Sequence, residues 1–179
     1  DLRKVKELAI HRNDEILSVG RTFRDHQRFV DELRGTKYSH VIIGAKKMDL
    51  DLRDSDCIVI PSLHYNKLLE RMKVCRLLVV PLVKTDFSVG MRVIHMAMLN
   101  KIPIIFSHHD DTYSYFRDHQ YYNQITFNNS PGSLRLGVKD YLINGTNEDI
   151  IEYNCRYVLL NHGAKRFIQD FNRSSISSG

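Results

Sequence analysis

Two glycine-bearing segments hold the residue types from which anion binding is built. In the first, Gly20 is followed by Arg21, and Arg24 stands three residues further on. A guanidinium beside a glycine turn can reach a phosphate with paired N–H donors and stabilise charge on a leaving group. The second is Asp86-Phe87-Ser88-Val89-Gly90-Met91, which lies between an apolar run and a pattern of helical period. A helix opening there presents unpaired amides and the positive end of its dipole, which suits phosphate. Gly90 would let a ligand approach the backbone closely. The plain alternative is that Ser88 only caps the helix and Gly90 only packs. Neither a GxGxxG pattern nor a Walker motif is present.

Other candidates carry less. His108-His109-Asp110-Asp111 resembles a metal cluster, but adjacent side chains diverge and no HExxH-type partner accompanies them, so a solvated loop is expected. His95 sits among apolar neighbours and reads as packing. Cys57, Cys75 and Cys155 lie in apolar segments without CxxC spacing, as buried free thiols of a reducing compartment would. No metal site is expected.

Positioning these residues requires a regular scaffold. Apolar runs at 16–20, 40–44, 57–61, 77–83, 102–106 and 124–127 alternate with segments of helical period. Helices follow around 133–143, 147–161 and 164–171. Continuous apolar strands alternating with helices imply a parallel sheet covered on both faces. The expectation is one α/β domain, doubly wound and Rossmann-like, with about six parallel strands and extra C-terminal helices. The domain would span 15–171, after a leader or linker at 1–14 from a longer chain and before a disordered tail at 172–179.

In such sheets ligands bind beyond the carboxyl ends of the strands, at the point where strand order reverses. That places Gly20 to Arg24, Gly44 to Lys47, Pro61-Ser62-Leu63, Lys84 to Gly90 and Ser107 to Asp111 at the ligand edge. The net charge of +5 and pI near 9.1 fit an anionic small ligand. Basic residues are spread along the chain and mixed with acids, so nucleic acid is not the expected partner. No apolar run reaches the roughly 18 residues of a membrane span, so the expected place is the cytoplasm, with peripheral membrane association left open.

The block from Ser88 through Gly90 and Met91 to Met96-Ala97-Met98-Leu99-Asn100-Lys101-Ile102-Pro103 resembles the signature of group 1 retaining GT-B glycosyltransferases. Ile16 to Arg21 resembles the strand-Gly-Arg opening of that family's C-terminal, donor-binding domain, and Val79-Val80-Pro81-Leu82 adds a third point. The resemblance implies a nucleoside diphosphate sugar as donor substrate and no other cofactor. It gives Gly20 and the catalytic Arg21 to the donor diphosphate, and Arg24 stands near the place of a second basic residue. Pro61, Ser62 and Leu63 match the loop that cradles the base, and Ser88 to Met91 the phosphate loop, with Asp86 or His95 as the neighbour that would stand in for a missing ribose-binding glutamate. The sequence departs from the family where its glutamates become Ser88 and Met96 and a glycine becomes Lys101. A thioether cannot accept ribose hydroxyl hydrogen bonds as a carboxylate does. The family works in a cleft between two such halves, so the resemblance implies an N-terminal acceptor half as partner and an inactive chain by itself. A non-catalytic scaffold that has lost its ligand is the alternative. A receiver- or flavodoxin-like domain would need acids where Gly20-Arg21 stands.

Overall fold

The computed structural model describes residues 13–85, 89–143 and 148–163. The expected leader before 13, the helix at 164–171 and the tail at 172–179 lie outside the described residues. Among the described residues six strands form one sheet: β1 (Glu15–Val19), β2 (Ser39–Ile43), β3 (Ile58–Ile60), β4 (Leu77–Val80), β5 (Ile104–Ser107) and β6 (Thr126–Phe127). Every pair is parallel, and the order is β3-β2-β1-β4-β5-β6. The helices are α1 (His26–Leu33), α2 (Tyr65–Val74), α3 (Met91–Leu99), α4 (Asp110–Tyr115), α5 (Ser133–Ile143) and α6 (Glu148–Asn161).

The period of two along each strand divides the core. Leu17 and Val19 of β1 and Leu78 and Val80 of β4 face one way, onto Met72 of α2, Ile94 and Met98 of α3, and Val158 of α6. Ile16, Leu77 and Val79 face the other way, onto Phe29 and Leu33 of α1 and Leu134 and Val138 of α5. Helices thus cover both faces, and the central strands β1, β4 and β5 are buried throughout. β3 is an edge strand, with Ile58 exposed.

Three boundaries differ from the sequence pattern for physical reasons. β4 ends at Val80 because Pro81 has no N–H to donate to a ladder. The run at 124–127 contributes only Thr126 and Phe127 as strand, since Tyr122–Gln124 coils into a 3-10 turn. The segment expected as a solvated loop at 108–111 instead opens α4. Asp110 and Asp111 occupy its first turn, where the helix dipole favours carboxylates, and Thr112 Oγ accepts the His109 N–H at 2.9 Å. Among the described residues no helix is long and apolar enough to cross a membrane.

Candidate functional site

Because β1 lies between β2 and β4, the chain leaves its two neighbours in opposite directions. The crevice this creates sits at the carboxyl ends of β1 and β4. β1 ends at Val19, and the Gly20 N–H continues the ladder to the Ile43 carbonyl at 3.0 Å. The turn that follows is then pinned over the end of β4. Asp25 N–H donates to the Pro81 carbonyl at 2.8 Å, and Val83 N–H to the Phe23 carbonyl at 3.3 Å. Phe23 takes up this reversal in the left-handed region, at φ 56°. Asp25 then caps α1, accepting the Arg28 N–H at 3.0 Å.

His26, the first residue of α1, locks the turn from beneath. It is buried, with Nε2 2.9 Å from the Gly20 carbonyl and Nδ1 3.3 Å from Ser18 Oγ. A carbonyl only accepts, so Nε2 carries the proton and Nδ1 accepts from the Ser18 hydroxyl. Burial holds the pKa of His26 below its ordinary value, partly opposed by the bond to Gly20.

Arg24 occupies the crevice itself. Its Nε donates to the Val19 carbonyl at 3.1 Å and its Nη1 to the Thr22 carbonyl at 3.1 Å. Burial pulls its pKa down to about 10, so the group remains a cation at neutral pH. Two glycines make the room. A Cβ on Gly20 would lie 2.7 Å from Arg24 Nε, and one on Gly90 would lie 3.5 Å from both terminal nitrogens and 2.7 Å from Leu82 Cδ2. Gly90, at φ 80°, is the N-cap of α3, where Ser88 was the capping candidate. Among the described residues no side chain caps this helix, and its first turn contains no acid. A partly desolvated guanidinium therefore faces the positive end of a helix, an arrangement that an anion would complete.

Beside Arg24, on the β1–β2 side, opens a cleft of about 710 Å³. Arg21, Gly44, Ala45, Lys46 and Asp49 are among the residues that line it. The Arg21 stem lies against Gly44, its Cγ 3.3 Å from where a Cβ there would sit. The structure therefore separates the two arginines of the turn. Arg24 adjoins Gly90, whereas Arg21 leans toward the turn after β2.

Of the remaining predicted residues, Val89 and Met91 flank Gly90 and pack partly against the α2–α3–α6 face, as does Leu63. Pro61 and Ser62 are exposed after edge strand β3 and do not line the cleft. Asp86 and Ser88 lie outside the described residues. His26 had no signal in the sequence, since its partner Ser18 is hidden within an apolar strand. Lys46 was placed at the ligand edge by topology, but nothing local marked it for a role. Met96 is half-buried against the same α2–α3–α6 face. Among the described residues no group of three His, Cys, Asp or Glu side chains could hold a metal ion.

No family model matches this chain, and no curated protein matches it in sequence. Solved structures do match its fold. An α,α-trehalose-phosphate synthase (UDP-forming) from Burkholderia vietnamiensis superposes with a TM-score of 0.64 at 12% identity, over 91% of this chain and 46% of that one. A trehalose-6-phosphate synthase matches with a TM-score of 0.57 at 12% identity, over 88% and 43%. The E. coli trehalose-6-phosphate structure bound with UDP-2-fluoro glucose gives 0.57 at 10% identity, over 87% and 43%. At these identities the likeness is one of fold, a GT-B glycosyltransferase-like α/β unit. The chain spans less than half the length of each of these neighbours.

Proposed function

We propose that this chain is the donor-binding, C-terminal half of a retaining glycosyltransferase, which moves a sugar from a nucleoside diphosphate to an acceptor. The observation that carries the reading is the position of Arg24, a half-buried cation set between Gly20 and the start of α3. The donor diphosphate would lie across this point. It would accept from the Arg24 guanidinium and the first amides of α3, with Arg21 at the mouth of the turn. As the sugar bond breaks, negative charge grows on the departing diphosphate, and fixed donors stabilise that charge more than the ground state. The fold neighbour bound with UDP-2-fluoro glucose supports a sugar nucleotide as the ligand class. The acceptor half would come from another part of the same protein or from a second chain.

Titration calorimetry with uridine, guanosine and adenosine diphosphates tests this. One of them should bind, and Arg24→Ala should weaken it by about tenfold to a hundredfold, as loss of charge-assisted bonds does. No heat from any of the three at millimolar concentration would overturn the reading. A second reading, a scaffold that kept the fold and lost the donor, is favoured by Met96, whose thioether packs where a ribose-binding acid would be needed. The same titration separates the two, because a scaffold gives no Arg24-dependent binding.

A further inference from the structure

We propose that His26 is the positioning residue behind Arg24, and that its neutral ring takes up a proton when the donor diphosphate settles on that arginine. This rests on the donor reading, and the two fail by different results.

The turn after β1 is held by its carbonyls. Those of Val19 and Thr22 accept from the Arg24 guanidinium at 3.1 Å each. The Gly20 carbonyl accepts from His26 Nε2 at 2.9 Å. That oxygen also lies where a side chain on residue 44 would stand, since a Cβ on Gly44 would meet it at 2.7 Å. The Gly44 backbone and the imidazole together hold the Gly20 peptide in place. Gly20 is in turn the residue against which the guanidinium packs, because a Cβ there would lie 3.0 Å from both Cζ and Nη2 of Arg24. His26 therefore sets the place of Arg24 through Gly20.

The ring can keep this seat in either charge state. In the neutral form, Nδ1 accepts from the hydroxyl of the fully buried Ser18. With a proton added, Nδ1 donates and the hydroxyl turns to accept, while Nε2 still donates to Gly20. The surrounding charge selects between the two forms. Burial is the first cause that keeps the ring neutral, and the Gly20 bond opposes it; the Arg24 cation adds to it, and the Asp25 carboxylate opposes it. From the turn after β2, Lys46 and Asp49 line the same cleft with opposite charges, and Arg21 lines it from the turn after β1. A diphosphate on Arg24 brings negative charge to the arginine that weighs against an imidazolium. The complex then holds more protons than the free chain, so donor affinity rises as pH falls between the two midpoints of His26.

Proton resonances of the histidine rings, followed against pH with and without UDP-glucose, test this. The diphosphate of UDP-glucose stays fully ionised across the range, so the ligand itself does not titrate. His26→Gln identifies the His26 signal by its loss and keeps an N–H for the Gly20 carbonyl. The His26 midpoint should rise by about one pH unit in the complex, and affinity should gain about threefold to tenfold from pH 8 to pH 5.5. His26→Gln should bind as wild type does at pH 8 and show no such gain, whereas His26→Leu should bind about tenfold more weakly at both. In the ligand-free chain, Arg24→Gln should also raise the midpoint. Equal binding by the Leu and Gln variants at pH 8 overturns the positioning role. A midpoint unmoved by bound UDP-glucose, or the same pH dependence in wild type and His26→Gln, overturns the proton uptake and leaves the donor reading standing. Failure of UDP-glucose and all three free diphosphates to bind removes the donor reading, and the proposal with it.

Discussion

Arg24 and Gly90 show how a single missing Cβ governs this crevice. Gly90 stands at φ 80° with Leu82 and the Arg24 guanidinium packed against its open side. Gly132 has almost the same backbone, φ 81°, but nothing within 4 Å of where its Cβ would be. Alanine at Gly132 should therefore show only the cost of a left-handed residue, about 1 kcal/mol. Alanine at Gly90 adds a contact of 2.7 Å with Leu82 Cδ2, so a further 1–3 kcal/mol or so is expected from overpacking. Urea melts of the two variants check the difference. Equal losses would mean that Leu82 swings aside freely and that Gly90 is required only for its conformation.

At the scale of elements, α3 matters twice. Its first turn faces the crevice, and its later turns carry His95 onto the end of α6. There the His95 ring stacks on His162 with centroids 4.7 Å apart, and Phe116 meets both rings edge-on. Burial, and then the neighbouring His162, push the pKa of His95 down to about 4. Burial also lowers His119 to about 4, with a bond to Asn154 opposing it, and lowers His162 less. The unfolded chain takes up the protons of His95 and His119 near pH 6.5, the folded chain only near 4. Between those values the unfolded state binds more protons, so stability falls as pH falls through the window. His95 and His119 should each remove ~1–2 kcal/mol of stability between pH 7 and pH 5. Denaturant midpoints at the two pH values give the measurement, and His95→Phe should flatten the slope. An unchanged slope in that variant would mean that His95 titrates normally and that the stack is open to water.

On the scale of the whole molecule, the main fact is how much of its fold neighbours this chain covers. It matches 91% of its own length to 46% of the Burkholderia vietnamiensis synthase. On the proposed function the catalytic cleft needs a second α/β unit, so the chain alone should bind donor without transferring sugar. Assays with and without an added N-terminal half measure this directly. Turnover by the isolated chain would show that its own surface supplies an acceptor site. The cations of the cleft belong to this scale as well. Arg21 and Lys46 line one cleft only because β1 and β2 pair in register and set the turns that follow them side by side.

The sequence by itself determined the layered α/β architecture, because strand and helix periods are local properties that survive in one dimension. The apolar runs at 16–20, 40–44 and 77–83 fell on β1, β2 and β4, and 133–143 matched α5 residue for residue. It was less informative at Asp110 and Asp111, where hydrophilic residues read as loop but sit at a helix start. Strand order, and with it the position of the crevice, required the tertiary structure, since hydrogen bonding between parallel strands leaves no mark in either strand alone. The fold also decided which arginine reaches α3. Arg21 and Arg24 look equivalent in a glycine turn, and only the pinning of that turn over Pro81 and Val83 directs one toward Gly90 and the other toward Gly44.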